Sequence, residues 1–342
     1  MATAWFCLLA FMLTMYVVLD GFDLGAGILH LFVADRRVVL AAIGPVWNGN
    51  EVWLIASGGL LVFAFPRVYA TTFSGIYLPL MLVLWLLVLR GLAIELRSHH
   101  GNALWQQFFD VVFGTASTAL ALIFGVALGN VLRGVPLDQT GTFELALFTG
   151  QPGEHGAIDW YTVSVGAFAV AALAAHGAMF LRWKTHLDLR GLARRLWLVT
   201  AALAIAVTVE TAFVHPRLFE HLAERPGLWI LPLAVIGGFV GVFVALARGL
   251  ELPGFLASSL VIAGLLALTA GALYPLILPS TVDPRYSLDI TASNDHGALA
   301  IGLAWWIPAI ALAIAYFAHL FRSFRGKATG DYHEPTSDTP AS

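Results

Sequence analysis

About nine stretches of this chain are long and apolar enough to cross a bilayer, and that feature constrains the fold more than any other. A helix needs roughly 20 residues to span about 30 Å of hydrocarbon. Runs of that kind occupy residues 4–33, 51–70, 72–96, 109–132, 161–183, 196–214, 228–247, 255–278 and 298–321. Backbone polar groups inside lipid must be satisfied within the span, which favours helices. Composition agrees: 59% of the 342 residues are apolar, 11% are charged, and the mean hydropathy is +0.82. Soluble domains carry about 25% charged residues. A soluble globular enzyme, a disordered chain and a coiled coil are therefore excluded. Nucleic-acid binding is disfavoured, because a net charge of −3 without a basic block offers nothing to neutralise phosphates. The expected fold class is an all-α integral membrane protein.

Two spans need comment. The first run is longer than required and should tilt or protrude. The second is interrupted by Pro66, which can end or kink it, so the short link 67–71 makes the boundary between the second and third spans the weakest. Residues 1–325 read as one polytopic membrane domain and 326–342 as a polar, disordered cytoplasmic tail. The first basic residue is Arg36, so no positive n-region of a cleavable signal precedes the first span. Of the 18 Lys and Arg residues, 13 fall in the loops on one side and 5 on the other. The positive-inside rule then puts the N-terminus outside and the C-terminus in the cytoplasm of a bacterial inner membrane.

Ionisable groups inside spans cost roughly 2.5–3.5 kcal/mol each on insertion scales and usually face a bundle interior. Asp20 lies about 24 Å along the first helix from Ala4, and Asp23 follows almost one turn later on the same face. Glu51 opens the second span, where a carboxylate complements the helix dipole. Arg90 lies about 27 Å along the third span from Thr72, with Glu95 and Arg97 just beyond. Three helices thus bring Asp20, Asp23, Glu51 and Arg90 to one depth near the inner face. The cluster reads either as an ion-pair network pinning helices together, as a cytoplasmic proton entrance, or as a cation or substrate site.

Other features are more bland. Gly21 with Gly25, Gly125 with Gly129, and Gly237 with Gly241 stand four apart, a spacing that lets helices approach closely. Of 11 histidines only His176 sits in mid-span, and Met179 lies one turn away on the same helix, so the two cannot supply opposite axial bonds to haem. His176 reads as a hydrogen-bonded interior residue, and Glu210 as an interior carboxyl or part of an outer polar path. Cys7 is the single cysteine, which excludes an intrachain disulfide and a four-thiolate cluster. The reading from residues alone has no metal site and no haem site in this chain. The segments LDGFDLGAG in the first span and LAAHGAMFL in the fifth both set a polar residue before Gly, a weak hint of two side-by-side bundles.

The run Leu19-Asp20-Gly21-Phe22-Asp23-Leu24-Gly25 resembles the first-helix signature of subunit II of cytochrome bd-type quinol oxidases. So does Gly44-Pro45-Val46-Trp47-Asn48-Gly49-Asn50-Glu51-Val52-Trp53-Leu54 at the head of the second span. FPRVYATTFSGIY (65–77), Arg90-Gly91 with Glu95-Leu96-Arg97-Ser98, and YPLILPSTVDPRYS (274–287) extend the likeness over nearly the whole chain. The cyanide-insensitive-type branch is the nearer likeness. The resemblance implies two four-helix bundles plus one extra helix, and a haem-free partner of a haem-bearing subunit I. That complex would oxidise quinol at the outer face and reduce dioxygen to water with protons from the cytoplasm. Haem b and haem d, or b-type haem alone, would sit in subunit I. A structural quinone, lipid and small single-helix subunits are further partners the resemblance suggests. In the family the position matched to Asn48 is usually aspartate on a proton path; asparagine there cannot titrate, so Glu51 or Asp20 would take over, or the path would be altered. A second reading, from another class, is an ion-coupled secondary transporter using the same carboxylates, which should show inverted repeats and broken helices at the midplane.

Overall fold

The computed structural model describes residues 1–149 and 155–328. Its long elements are all helical: α1 (Ala2–His30), α2 (Arg36–Ile43), α3 (Trp47–Ala64), α4 (Pro66–Gly75), α5 (Tyr77–Leu96), α6 (Ala103–Arg133), α7 (Trp160–Lys184), α8 (Arg190–Val214), α9 (Arg217–Glu224), α10 (Ile230–Arg248), α11 (Glu251–Leu273) and α12 (His296–Ser323). Among the described residues eight helices are long and apolar enough to span a bilayer, and α2 with α3, bent by 54° at their junction, gives a ninth if the pair is counted as one span. The expected tail lies largely outside the described residues, which stop at 328.

Helix ends follow local chemistry. Asp35, Asn102, Asp159 and Asp295 cap α2, α6, α7 and α12 by accepting from first-turn backbone N–H groups. Pro66 sits in the first turn of α4, where its missing N–H costs nothing. The second expected span therefore ends at Ala64 rather than residue 70, and the third begins at Tyr77 rather than residue 72. The eighth expected span is also too long: α11 stops at Leu273, and 276–278 forms a strand instead. That strand, β1 (Leu276–Leu278), pairs antiparallel with β2 (Leu288–Asp289).

Packing divides the helices into two groups of four. In the first, α1 packs on α3 and α6, and α5 on α6. In the second, α7 packs on α8 and α11, and α10 on α11 and α8. The seam is α1 against α7 and α11, with α6 against α7. An aromatic stack fills it: Phe22 lies 4.0 Å from Phe180, centroid to centroid, and 5.7 Å from Phe255. At the crossing of α1 and α7 the backbones touch. A Cβ on Gly25 would meet the Leu173 carbonyl, and one on Gly177 would meet the Gly25 backbone. Gly125 and Gly129 serve α6 in the same way against α7. The third expected pair is displaced by one residue, because Gly238 and Gly241 face α11 while Gly237 faces open space. Helix α12 stands outside both groups, held by Trp306 against Trp5 and Phe317 against Trp53.

The two ends of the bundle differ. One carries α4, α9, the strands and the 134–149 loop, tied together by Val135 and Ser280 and by Thr71 donating to the Gly141 carbonyl. The other carries α2 and the short turns 97–102, 185–189 and 249–250.

Candidate functional site: a buried polar cluster between α1, α3 and α5

Asp20 and Arg90 lie at the centre of the first group, both fully buried. The two terminal guanidinium nitrogens of Arg90 donate to the two carboxylate oxygens of Asp20, one of them at 2.8 Å. This fork-to-fork geometry is the strongest form of an arginine–carboxylate contact. Asp20 is thereby committed: both oxygens are occupied by a cation that arrives from another helix.

Asp23 is placed differently. It is also fully buried, one turn further along α1, but its Oδ2 accepts only from the Asn50 side-chain amide, at 2.8 Å. Its Oδ1 has no hydrogen-bond partner among the described residues. Asn50 spends its second amide hydrogen on the Leu19 carbonyl at 3.3 Å, which locks its orientation. The Tyr16 hydroxyl, one turn before Asp20, faces that carboxylate without closing a hydrogen bond, and the Trp53 Nε1 and Arg90 Nε are likewise buried and unpartnered. Glu51 is half-buried on the flank of α3, within electrostatic reach of Arg90 and Asp20.

The structure thus brings together Asp20, Asp23 and Arg90, with Glu51 at the edge. It does not bring Asn48 in. Asn48 is exposed, and the amide in the cluster belongs to Asn50. The reason is helical phase: α3 starts at Trp47, and residues 48 and 50 are about 200° apart around the axis. The buried stripe of α3 runs Trp47, Asn50, Trp53, Ser57, Leu60 and Ala64. Glu51 stands one turn inside α3 rather than at its head, and Glu95 lies more than a turn beyond Arg90, at the end of α5.

His176 has both ring nitrogens engaged, Nδ1 with the Ser258 hydroxyl at 2.7 Å and Nε2 with the Val18 carbonyl at 3.0 Å, and its ring stacks on Phe255. A residue so committed does not fit an axial haem ligand. Among the described residues no group of three or more His, Cys, Asp and Glu could hold a metal ion. Glu210 is half-buried on α8, near Tyr161, whose hydroxyl bonds Thr211 at 3.0 Å.

Two further polar knots were not read from the sequence. Asp110 of α6 accepts from His30 at 2.6 Å, from Arg36 at 3.1 Å and from Arg97, and so ties together the end of α1, the start of α2 and the end of α5. A lone carboxylate two turns into an apolar helix was the available signal. At the opposite end Arg133 bonds Asp159, Asn130 and the Gly156 carbonyl. A cleft of about 460 Å³ lined by Ser74, Asp138, Phe143 and Glu144 also opens at that end. It lies about 20 Å along α5 from Arg90 and takes no part in the buried cluster.

Comparison with known proteins agrees with this architecture. A family model for cytochrome bd terminal oxidase subunit II matches residues 1–324. A "probable cytochrome oxidase subunit 2" of Haemophilus influenzae is 30% identical over 363 aligned positions, covering 96% of this chain and 95% of that protein. The cytochrome bd-I ubiquinol oxidase subunit 2 of Escherichia coli K12 is 28% identical and covers 95% and 94%. The cytochrome bd ubiquinol oxidase subunit 2 of Bacillus subtilis is 29% identical and covers 88% and 89%. In fold, the chain is similar to a chain in the structure of bd oxidase from Geobacillus thermodenitrificans, with TM-score 0.71, 21% identity and coverage of 94% and 98%. The transporter alternative finds no support in any of these. The chain belongs to the cytochrome bd terminal oxidase subunit II family.

Proposed function

We propose that this chain is the haem-free subunit of a quinol-oxidising, dioxygen-reducing complex, and that it carries protons from the cytoplasm towards the reaction through Asp23 and Glu51. Its partner is a haem-bearing subunit I with haems of b and d type, or of b type alone. Haem in that partner supplies oxygen binding and electron transfer. This chain supplies a folded wall beside it and a membrane-buried carboxyl. The N-terminus faces outward and the C-terminus the cytoplasm, a reading supported by the 13-to-5 distribution of basic residues.

One observation carries the proton reading: Asp20 and Asp23 are neighbours on one helix face, yet only Asp20 has its charge fully matched by Arg90. A carboxylate locked to an arginine is a poor proton carrier. Asp23, held on one oxygen by a neutral amide and free on the other, can bind and release a proton without breaking an ion pair. Glu51, half-exposed on α3, supplies a second titrating group on the way to the surface. Asn50 orients Asp23 and does not itself titrate.

The experiment is Glu51→Gln in the purified complex, with haem bands and oxygen consumption measured on the same sample. The expected result is slower oxygen reduction with unchanged haem bands. Isolation of the chain as a stable, colourless oligomer without a haem protein would instead contradict the subunit assignment.

A further inference from the structure

At the end of the bundle where α7 turns into α8, positive charge accumulates without matching carboxylates. Arg182 and Lys184 close α7 and are only 6% and 7% exposed. Charged side chains so deeply buried are normally paired. Neither has a carboxylate within 4 Å among the described residues: Arg182 meets the Met179 sulfur at 3.8 Å, and Lys184 meets the Phe324 carbonyl and lies over the Trp183 ring. Helix α8 then opens with Arg190, and Arg194 and Arg195 follow within its first two turns. Cations at a helix N-terminus oppose the helix dipole, whereas an anion there is favoured. The N-cap is Leu189, which has no side-chain acceptor, although Asp188 accepts weakly from the Arg190 backbone at 3.4 Å.

Lys184, about 200° around α7 from Arg182, lies apart at the end of α12, but Arg182 and Arg190 are close in space. Arg182 is within electrostatic reach of Arg190, Asp188 and Glu251. Glu251 is engaged by Lys327 at 2.9 Å, and the Arg190 guanidinium bonds the Ala247 carbonyl at 2.6 Å, next to exposed Arg248. Two carboxylates, Asp188 and Glu251, thus stand among five cations: Arg182, Arg190, Arg194 one turn on, Arg248 and Lys327. Exposed apolar side chains flank the group, Leu198 on α8 and Leu250 and Leu252 at the α10–α11 turn. A ligand that fits carries a phosphate for the arginines and hydrocarbon for the leucines.

We propose that the α7–α8 turn, with Arg182, Arg190 and Arg194, binds the phosphate of an anionic phospholipid headgroup. The flanking leucines select a lipid over free phosphate, because their exposed surface lies where an acyl chain would run. Arg182 forms the buried floor, and Arg190 and Arg194, one turn apart on α8, form the exposed rim.

The test is retention of phosphatidylglycerol against phosphatidylcholine by the detergent-purified oxidase complex, read by native mass spectrometry. The wild type should retain the anionic lipid preferentially. The double variant Arg190→Gln/Arg194→Gln, both at exposed positions that leave the core intact, should weaken retention about thirtyfold for the loss of two surface charges. Arg217→Gln, at the other end of the bundle, should leave it unchanged. Equal retention of both lipids, or equal retention by wild type and double variant, overturns the proposal. Displacement of the lipid by inorganic phosphate alone would make this a free-anion site and overturn the choice of lipid. Lipid retention appearing only after truncation beyond residue 328 would assign the patch to the acidic residues 331, 334 and 338 and overturn it as well.

Discussion

Arg90 and Asp20 form a fully buried, two-pronged ion pair that joins α5 to α1 in the middle of an apolar bundle. Asp23 lies one turn away on the same face of α1 with half of its carboxylate unpartnered. On the proposed proton path, that asymmetry divides a cluster of four charges into a structural half and a proton-carrying half.

The structural half predicts a double-mutant result. Arg90→Met or Asp20→Leu alone strands a buried charge, a loss of about 3–5 kcal/mol. The pair of substitutions together removes both charges and should be milder than either single change. Thermal melting of the purified complex, with haem content as a check on assembly, measures this. Additive losses would show that the two residues do not act as a pair.

Asn50 and Asn48 should behave oppositely. Asn50→Leu leaves Asp23 with no hydrogen bond and the Leu19 carbonyl without its side-chain donor, at a cost of about 1–3 kcal/mol. Asn48→Ala touches nothing in the cluster and should shift stability by less than about 0.5 kcal/mol. Asn48→Asp should leave the pH profile of turnover unchanged, because the side chain points away from Asp23.

The helix crossing is equally specific. Gly25→Ala or Gly177→Ala drives a methyl into backbone and should destabilise the complex by about 1–3 kcal/mol, lowering its melting temperature. Gly237→Ala meets nothing within 4 Å and should be neutral or slightly stabilising, since alanine favours helix.

In the loop before β2, hydrogen bonds from Arg285 hold the Asp283 carboxyl at about 2, below its ordinary 3.8. The charged form is the one the folded loop favours. Its contribution is therefore complete above pH 3.8 and is lost as the pH falls through about 2. The protection of the Arg285 amide relative to its intrinsic exchange rate, its N–H donating to Asp283 at 2.9 Å, should fall only across that window. A loss of protection already at neutral pH would contradict the assignment.

Much of this architecture is legible in the sequence because lipid leaves few choices: an apolar run of 20 residues has one way to satisfy its backbone. Asp20 and Asp23 could be paired by their spacing alone, and Arg90 matched to them by depth. Helical phase was not legible. The register of α3 depends on where the Gly44-Pro45 break lets the helix begin, and it turns Asn50 towards Asp23 while Asn48, singled out by the family resemblance, stands exposed. Helix α2 was missed because eight residues opening on two arginines do not read as a span. Asp110 was missed because a carboxylate two turns into a helix shows its value only when Arg36, Arg97 and His30 arrive from elsewhere.

The division of labour between Asp20 and Asp23 is tested most directly by oxygen-reduction turnover of the Asp23→Asn complex, measured with its haem spectrum. Asparagine keeps the contact with Asn50 and the packing but carries no titrating proton. The predicted result is full haem content with turnover lowered at least about tenfold, as loss of a positioned proton-transfer group produces. Unchanged turnover at full haem content would contradict the account, as would a fall in turnover that merely tracks a loss of haem.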